Sequence, residues 1–175
     1  MRFLFLLLMV FAAVGGSPTE DPKSPFSIAI VPFSSYSEGG TIEMARKSTR
    51  DFYVVLTNVS QDNQYTWEYW NSWGYQTISF ELTTAEGKKF SVSKRIQGFT
   101  KNYPSTFLVK PGEHEVFAIR FDKWWETKPV LPENNEMPIT LKAIYEVRPT
   151  KESAQNKVWT GRIESQSYGL TLQQW

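Results

Sequence analysis

The chain has 175 residues, contains no cysteine and carries a formal net charge of +1, with 19 basic and 18 acidic residues. The absence of cysteine excludes disulfides, thiolate metal sites and cysteine nucleophiles, so stability must come from a buried core. Charges of both signs are scattered and form no basic patch, which argues against nucleic acid as a partner.

The N-terminus has the layout of a secretory signal peptide. Arg2 is followed by an unbroken apolar run from Phe3 to Val14, and small residues precede a polar stretch. The run is shorter than the roughly 20 residues that a membrane-spanning helix needs, which favours a signal peptide over an uncleaved anchor. We predict a signal peptide over residues 1–15, a periplasmic or extracellular protein, and no stable membrane anchor after cleavage.

A polar segment with three prolines joins this leader to the rest of the chain. Residues 16–25 predict a flexible tether, and residues 26–175 predict a single domain. Within the domain, short runs rich in β-branched and aromatic residues are separated by Gly, Pro, Asn and Ser turns, which is typical of strands. The predicted strands lie within residues 26–33, 41–45, 51–58, 65–70, 75–83, 89–96, 106–121, 139–147, 158–165 and 168–173, with 41–45 as a candidate edge strand.

Period-two alternation and turn residues support this prediction. The run 51–58 alternates, and so does 139–147, which places on one face Leu141, Ala143, Tyr145 and Val147. Glu86-Gly87 supplies a hairpin turn between two alternating runs, and Pro111-Gly112 predicts a type II turn.

Helical periodicity with a cap is lacking, so we predict no substantial helix, and residues 148–157 are expected to form a polar loop. The fold class predicted is all-β: an antiparallel, immunoglobulin-like two-sheet sandwich of about eight or nine strands, preceded by the signal peptide. A lipocalin-type barrel is the alternative, but it would require longer and more even hairpins.

The stretch from Trp67 to Gln76, WEYWNSWGYQ, contains NSWG, the tetrapeptide around the orienting asparagine of papain-like proteases. Such catalysis needs a cysteine nucleophile and a histidine base. The chain has no cysteine, and its one histidine, His114, follows the Pro111-Gly112 turn, where a solvated residue is expected. The sequence contains no Gly-x-Ser-x-Gly elbow or phosphate-binding glycine loop, and we predict that the protein is not an enzyme.

Metal and cofactor sites are not predicted. A single histidine and no cysteine leave zinc without a ligand set. The only calcium candidate, residues 133–136, lacks the order of acidic residues and glycine that a calcium loop needs, and a solvated loop is the favoured interpretation. Asn58-Val59-Ser60 fits the N-glycosylation pattern, but Asn58 is expected to shape the turn after its strand.

Aromatic residues make up 15% of the chain and are its most distinctive feature. In a functional interpretation, they form an exposed platform for sugar rings or peptide side chains. The candidate ligand-binding residues are Trp70, Trp73, Tyr75, Trp124 and Trp125. In a structural interpretation, the same rings fill the core between the sheets, where aromatic residues are commonly found. Adjacent residues of a strand point to opposite faces, so at least one of Trp124 and Trp125 should lie at the rim or outside.

Several turns in a fixed order carry a resemblance to a known family. Residues 56–60 read Leu-Thr-Asn-x-Ser, residues 108–113 read Leu-x-x-Pro-Gly-Glu, and residues 143–145 read Ala-x-Tyr. Over residues 51–172 this order is similar to that of bacterial immunoglobulin-like domains and resembles the Bacillus-type intracellular proteinase inhibitor domain. Residues 71–75 and 158–165 resemble exported bacterial proteins of unknown function. Unlike the inhibitor domain, this chain has a predicted signal peptide and no identifiable inhibitory loop.

Three functions remain open at this point. The first is a non-catalytic exported β-sandwich that binds a protein or a component of the cell envelope, or has a structural role there. The second is a carbohydrate-binding module that uses the tryptophans, with a polysaccharide as partner. The third, implied by the resemblance alone, is a proteinase inhibitor.

Overall fold

A computed structural model describes residues 24–31, 41–44, 52–126 and 135–174 of the chain. The predicted signal peptide, most of the predicted tether and the first half of the calcium candidate lie outside these residues. No helix in the described part of the chain is long and apolar enough to cross a membrane.

Twelve strands and one short helix form in the described residues. The strands are β1 (Phe26–Val31), β2 (Thr41–Met44), β3 (Phe52–Asn58), β4 (Gln64–Trp67), β5 (Ile78–Thr84), β6 (Lys89–Lys94), β7 (Thr106–Val109), β8 (His114–Ile119), β9 (Trp125–Glu126), β10 (Asn135–Val147), β11 (Gly161–Glu164) and β12 (Tyr168–Gln174). The helix is α1 (Lys151–Gln155), which lies between β10 and β11.

The strands form two packed sheets and a separate pair. The small sheet has the order β1-β3-β8, and the large sheet has the order β2-β12-β10-β5-β6-β9, with β11 also paired to β10. The strands β4 and β7 pair with each other. This arrangement confirms the predicted all-β sandwich and the edge position of residues 41–44. The structure has more strands than the expected eight or nine, because short strands such as β9 form within segments that were predicted to be loops. The strand β2 pairs with β12 in parallel, whereas an antiparallel arrangement was predicted.

The core lies between the sheets, on the faces that alternation predicts. The strand β3 buries Phe52, Val54 and Leu56, and β10 buries on one face Leu141, Ala143, Tyr145 and Val147. Aromatic rings fill the space between them in edge-to-face contacts, as in the pairs that Phe80 makes with Phe52 and Phe121 at 5.5 and 5.1 Å between centroids. Edge-to-face packing of this kind adds to the area term of aromatic burial.

Two glycine turns connect the strands as the sequence predicts. Gly87 has φ 80° between the paired strands β5 and β6, and Gly112 has φ 76°, a left-handed conformation that glycine adopts without strain. The amide of Glu113 donates to the carbonyl of Lys110 at 2.9 Å across the second turn. The strands on either side of this turn do not form a hairpin, because β7 pairs with β4 and β8 pairs with β3.

The helix α1 replaces part of the expected polar loop. Thr150 and Ser153 form a reciprocal capping box, in which the side chain of Thr150 accepts from the Ser153 amide and the side chain of Ser153 accepts from the Thr150 amide. The helix has only five residues. Apolar periodicity therefore could not reveal it, and serine replaces the glutamate or glutamine that usually marks the box.

Candidate functional site

The segment WEYWNSWGYQ forms a compact turn organised by Asn71, which is fully buried. The side-chain oxygen of Asn71 accepts from the amides of Trp73 and Gly74 at 3.0 and 2.9 Å. Its side-chain nitrogen donates to the carbonyl of Ser105 at 3.0 Å and to the Ser105 hydroxyl at 3.2 Å. All hydrogen-bonding groups of the side chain are used in the turn, so the NSWG tetrapeptide has a structural role here.

Gly74 allows this turn to close. A Cβ atom at position 74 would overlap the backbone carbonyl oxygen of Glu68, so only glycine fits. The turn is also held to the facing loop, because the Ser72 amide donates to Asn102 Oδ1 at 3.0 Å and Ser105 Oγ donates to Glu68 Oε2 at 2.7 Å. The aromatic residues around Gly74 are therefore held on a fixed support.

The five aromatic candidates lie in three places. Tyr75, Trp124 and Trp125 line one groove, and Trp73 lines another. Trp70 is 41% exposed and packs edge-to-face on Tyr103 at 5.2 Å between ring centroids. The five residues thus do not form one continuous platform. Trp124, in the turn before β9, is 48% exposed, whereas Trp125, the first residue of β9, is 4% exposed.

The first groove, which we call the β8 groove, consists of two adjoining cavities. The inner cavity has a volume of about 160 Å³ and the outer one about 320 Å³. Three residues line both cavities: Tyr75, Lys94 and Ala118. The inner cavity has an apolar floor that includes Ile78 and Phe117, while the outer cavity adds the side chains of Gln97, Arg120, Asp122, Trp124 and Trp125. A few polar groups at the mouth of an apolar pocket are typical of ligand sites.

Lys94 lies where the two cavities meet and is surrounded by aromatic rings. Its Nζ atom is 4.5 Å from the ring centroid of Tyr75 and 5.7 Å from those of Tyr69 and Trp125. Burial lowers the pKa of Lys94, and the nearby carboxylate of Asp122 acts in the opposite direction. Burial also raises the pKa of Tyr75, with a smaller contribution from Asp122. A partly desolvated cation interacts more strongly with a ligand carboxylate than an exposed lysine does. Lys94 could not be identified from the sequence, because its aromatic neighbours are distant along the chain.

The second groove, which we call the Trp73 groove, lies on the outer side of the large sheet. It has a volume of about 440 Å³. Trp73 packs against Trp67 at 5.9 Å between ring centroids. The other lining side chains are mostly polar and include Ser79, Ser91, Ser93, Gln76, Glu146 and Arg148. The Trp73 groove therefore combines the rings of Trp67 and Trp73 with hydroxyl, amide and charged groups.

Glu115 is a second residue that sequence reasoning missed. It lies on β8 on the same side as Phe117 and Ile119, and its carboxylate accepts a hydrogen bond from Thr66. Burial raises the pKa of Glu115 to about 7. Neighbouring His114 is exposed, and its Nδ1 atom lies 2.8 Å from the Thr57 hydroxyl.

Asn58 shapes the turn after β3, as predicted. It is fully buried, and its side-chain nitrogen donates to the carbonyls of Asp62 and Val109 at 2.7 and 2.9 Å. Its side-chain oxygen accepts from the amide and hydroxyl of Ser60 at 3.0 and 2.7 Å. The side-chain nitrogen that a glycan would occupy is thus enclosed in the folded protein.

No group of three or more metal-ligating side chains occurs in the described ranges. Comparisons of the chain with protein-family models, with curated proteins and with solved structures gave no match.

Proposed function

We propose that the protein is a non-catalytic exported β-sandwich that binds a ligand in the β8 groove. The observation that carries this proposal is the convergence of Tyr75, Lys94 and Trp124 from three separate segments onto one groove. A fixed aromatic surface beside a desolvated cation and a small apolar cavity provides both binding area and orientation for a ligand.

The strand order supports an immunoglobulin-like character for this module. The small sheet β1-β3-β8 corresponds to the order A-B-E, and the run β12-β10-β5-β6 corresponds to G-F-C-C′. Loops at the ends of such sandwiches often carry the binding residues. Tyr75 and Trp124 likewise lie in connections between strands, the first before β5 and the second before β9.

Export follows from the N-terminal sequence and places the protein in the periplasm or outside the cell. The single charge of Arg2, the apolar run from Phe3 to Val14 and the small residues that follow it support a signal peptide over residues 1–15. A chain without cysteine cannot form disulfides in that oxidising compartment. The ligand is therefore a protein or polysaccharide of the cell envelope or the exterior.

The proposal is tested by titrating the protein, cleaved after residue 15, with a panel of soluble polysaccharides and a panel of tryptophan-free peptides while its tryptophan fluorescence is recorded. Trp124→Ala should abolish the response to a ligand, because Trp124 is exposed in the groove. Trp70→Ala is the matched control, since Trp70 is also exposed but lies elsewhere. No response to either panel, or an equal response from the Trp124→Ala protein, would contradict the proposal.

Carbohydrate binding at the Trp73 groove is a second candidate function. It is favoured by the position of Trp73 beside a row of serine hydroxyls, with Glu146 and Arg148 at the edge. Stacking on an aromatic ring together with several hydroxyl and charged partners suits a sugar. In the same titration, a polysaccharide that binds here should lose its signal with Trp73→Ala and keep it with Trp124→Ala.

A further inference from the structure

The strand β8 forms an edge of the small sheet. Among the described residues it pairs with β3 on one side and has no neighbouring strand on the other. Natural proteins usually protect such edges with lysine, proline or a bulge. The central residues of β8 read Val-Phe-Ala-Ile and contain none of these devices, and the one acidic residue of the strand, the inward-pointing Glu115, precedes them. An unprotected apolar edge favours pairing with another chain.

The hydrogen-bond register shows which backbone groups of β8 face the free edge. The amide of Asn58 donates to the carbonyl of Glu113 at 3.1 Å, just beyond the end of the regular ladder. Hydrogen-bonded and non-hydrogen-bonded pairs alternate along an antiparallel ladder. The register continues without interruption, so the odd-numbered residues of β8 bond to β3. The backbone groups of Val116 and Ala118 consequently point away from β3.

These outward groups lie along the β8 groove. The inner cavity is lined by four consecutive residues of β8, from Val116 to Ile119. The outer cavity continues along the same side past Ala118 to Arg120. The groove therefore follows the free edge of the strand, and an extended backbone lying in it would run beside β8 at the usual spacing of about 4.8 Å.

We infer that the β8 groove takes an extended peptide, which pairs with Val116 and Ala118 as a fourth strand of the small sheet and places an acidic side chain near Lys94. This inference rests on the proposed function and specifies its ligand. In such strand addition, main-chain hydrogen bonds supply affinity and pockets for alternate side chains supply specificity.

The lining of the groove determines the side chains that fit. The inner cavity, with a volume of about 160 Å³, is walled by Tyr69, Ile78, Phe117 and Ile119, and it accepts one aliphatic or aromatic side chain. Lys94, the basic residue where the two cavities meet, is enclosed by aromatic rings, so its charge favours a carboxylate of the peptide. Side chains two positions apart on a strand face the same side. The peptide should thus carry an apolar residue and, two positions away, an aspartate or glutamate.

The test begins with selection of random heptapeptides displayed on phage against the immobilised protein, cleaved after residue 15. We expect enrichment of an acidic residue two positions from an apolar one, and loss of this acidic preference with Lys94→Met. A synthetic peptide from the selection is then methylated at each backbone nitrogen in turn. Binding should weaken by about tenfold at alternate positions, because only every second amide of the peptide bonds to β8.

Two variants of one residue test the contribution of β8 itself. Ala118→Pro removes an N–H that faces the groove and leaves the bonds to β3 intact, a position that an edge strand tolerates. It should weaken peptide binding by about tenfold. Ala118→Val keeps the N–H and changes only the side chain at the same position, so Ala118→Pro should weaken peptide binding more than Ala118→Val does. Circular dichroism and thermal unfolding confirm that both proteins are folded.

The outcomes separate this inference from the proposed function. A period-two effect of N-methylation supports strand addition even where Ala118→Pro fails to fold. A flat methylation profile, equal binding by the two Ala118 variants, or a selection that yields no peptide overturns the inference. A polysaccharide that binds in a manner dependent on Trp124 would overturn the peptide as ligand while the groove keeps its proposed function.

Discussion

The hydroxyl of Thr66 donates a hydrogen bond of 2.8 Å to Oε2 of Glu115 and thereby links β4 to the inward side of β8. Burial raises the pKa of Glu115 from 4.5 to about 7, the Thr66 bond lowers it, and the charge of Glu68 raises it. Glu115 in turn contributes to the raised pKa of Tyr145, for which burial is the main cause. The carboxyl group of Glu115 is therefore favoured in its protonated form by the fold.

This relationship predicts that Glu115 makes the protein less stable as the pH rises from about 4.5 to about 7. In that range the folded state holds a proton that the unfolded state has released, so the free energy of unfolding falls with pH. The stabilising contribution of protonated Glu115 is fully present below pH 4.5 and is lost above about pH 7. A pKa change of this size corresponds to roughly 3 kcal/mol.

Glu115→Gln keeps an acceptor for Thr66 but cannot ionise. We expect the variant to be more stable than wild type at pH 8 by about 2–3 kcal/mol, and similar to it at pH 4, by urea unfolding at a series of pH values. Glu126→Gln, at an exposed position, is the control and should keep the wild-type pH dependence because Glu115 is intact. A constant difference between the Glu115→Gln and wild-type proteins at every pH would contradict the prediction.

Gly74→Ala should destabilise the protein strongly. The added Cβ atom would overlap the carbonyl oxygen of Glu68, and backbone atoms cannot move aside without opening the turn that Asn71 organises. Overpacking of this kind costs about 1–3 kcal/mol and occasionally more, which urea unfolding would measure. Gly98→Ala is the matched control, because a Cβ there meets no atom within 4 Å and no left-handed φ is required. Equal urea concentrations at the unfolding midpoint for Gly74→Ala and Gly98→Ala would show that the turn tolerates the methyl group.

The sequence was sufficient to predict the sandwich but not the grooves, and the reason is physical. Alternation within one segment identifies the buried face of β10, since it depends only on local geometry. The grooves depend on segments that are distant in sequence. Trp73 and Tyr75 are two positions apart, yet they line different grooves because the chain turns sharply between Asn71 and Tyr75.

The buried polar residues show the same limit. A turn role for Asn58 could be predicted from its position after a strand, whereas the equally buried Asn71 was hidden within an apparent protease tetrapeptide. Lys94 and Glu115 read as ordinary surface charges at the level of sequence. Their altered pKa values arise from burial against rings and strands that are brought together only by the fold.

Asn71→Ala should cost more than the loss of a single hydrogen bond. The change leaves the amides of Trp73 and Gly74 without their acceptor, whereas the Ser105 carbonyl keeps the hydrogen bond from the Glu68 amide. Each unsatisfied buried group costs about 1–3 kcal/mol, and the free energy of unfolding from urea titration should fall by a few kcal/mol. Asn71→Asp keeps the acceptor for the two amides but repels the Ser105 carbonyl, so we expect an intermediate loss. Wild-type stability of Asn71→Ala would mean that water replaces the side chain.

Alanine substitutions of Trp124 and Trp125 should have separate effects, the first on ligand binding and the second on the free energy of unfolding. Trp125 is buried against Phe80 and Phe121, with ring centroids 5.5 and 5.2 Å away, so Trp125→Ala should lower the free energy of unfolding by about 3–5 kcal/mol. Trp124 is 48% exposed and contacts Lys123 through a cation–π interaction at 4.9 Å. Exposed interactions of this kind contribute only about 0.5–1 kcal/mol.

Trp124→Ala should therefore unfold at nearly the wild-type urea concentration while it loses the affinity of the β8 groove for its ligand. The two measurements are made on the same protein preparation, so that a loss of binding cannot be attributed to unfolding. A large fall in stability with Trp124→Ala would assign this ring to the fold rather than to a ligand. In that case Trp124 would not serve as the exposed aromatic surface for ligand recognition at the mouth of the β8 groove.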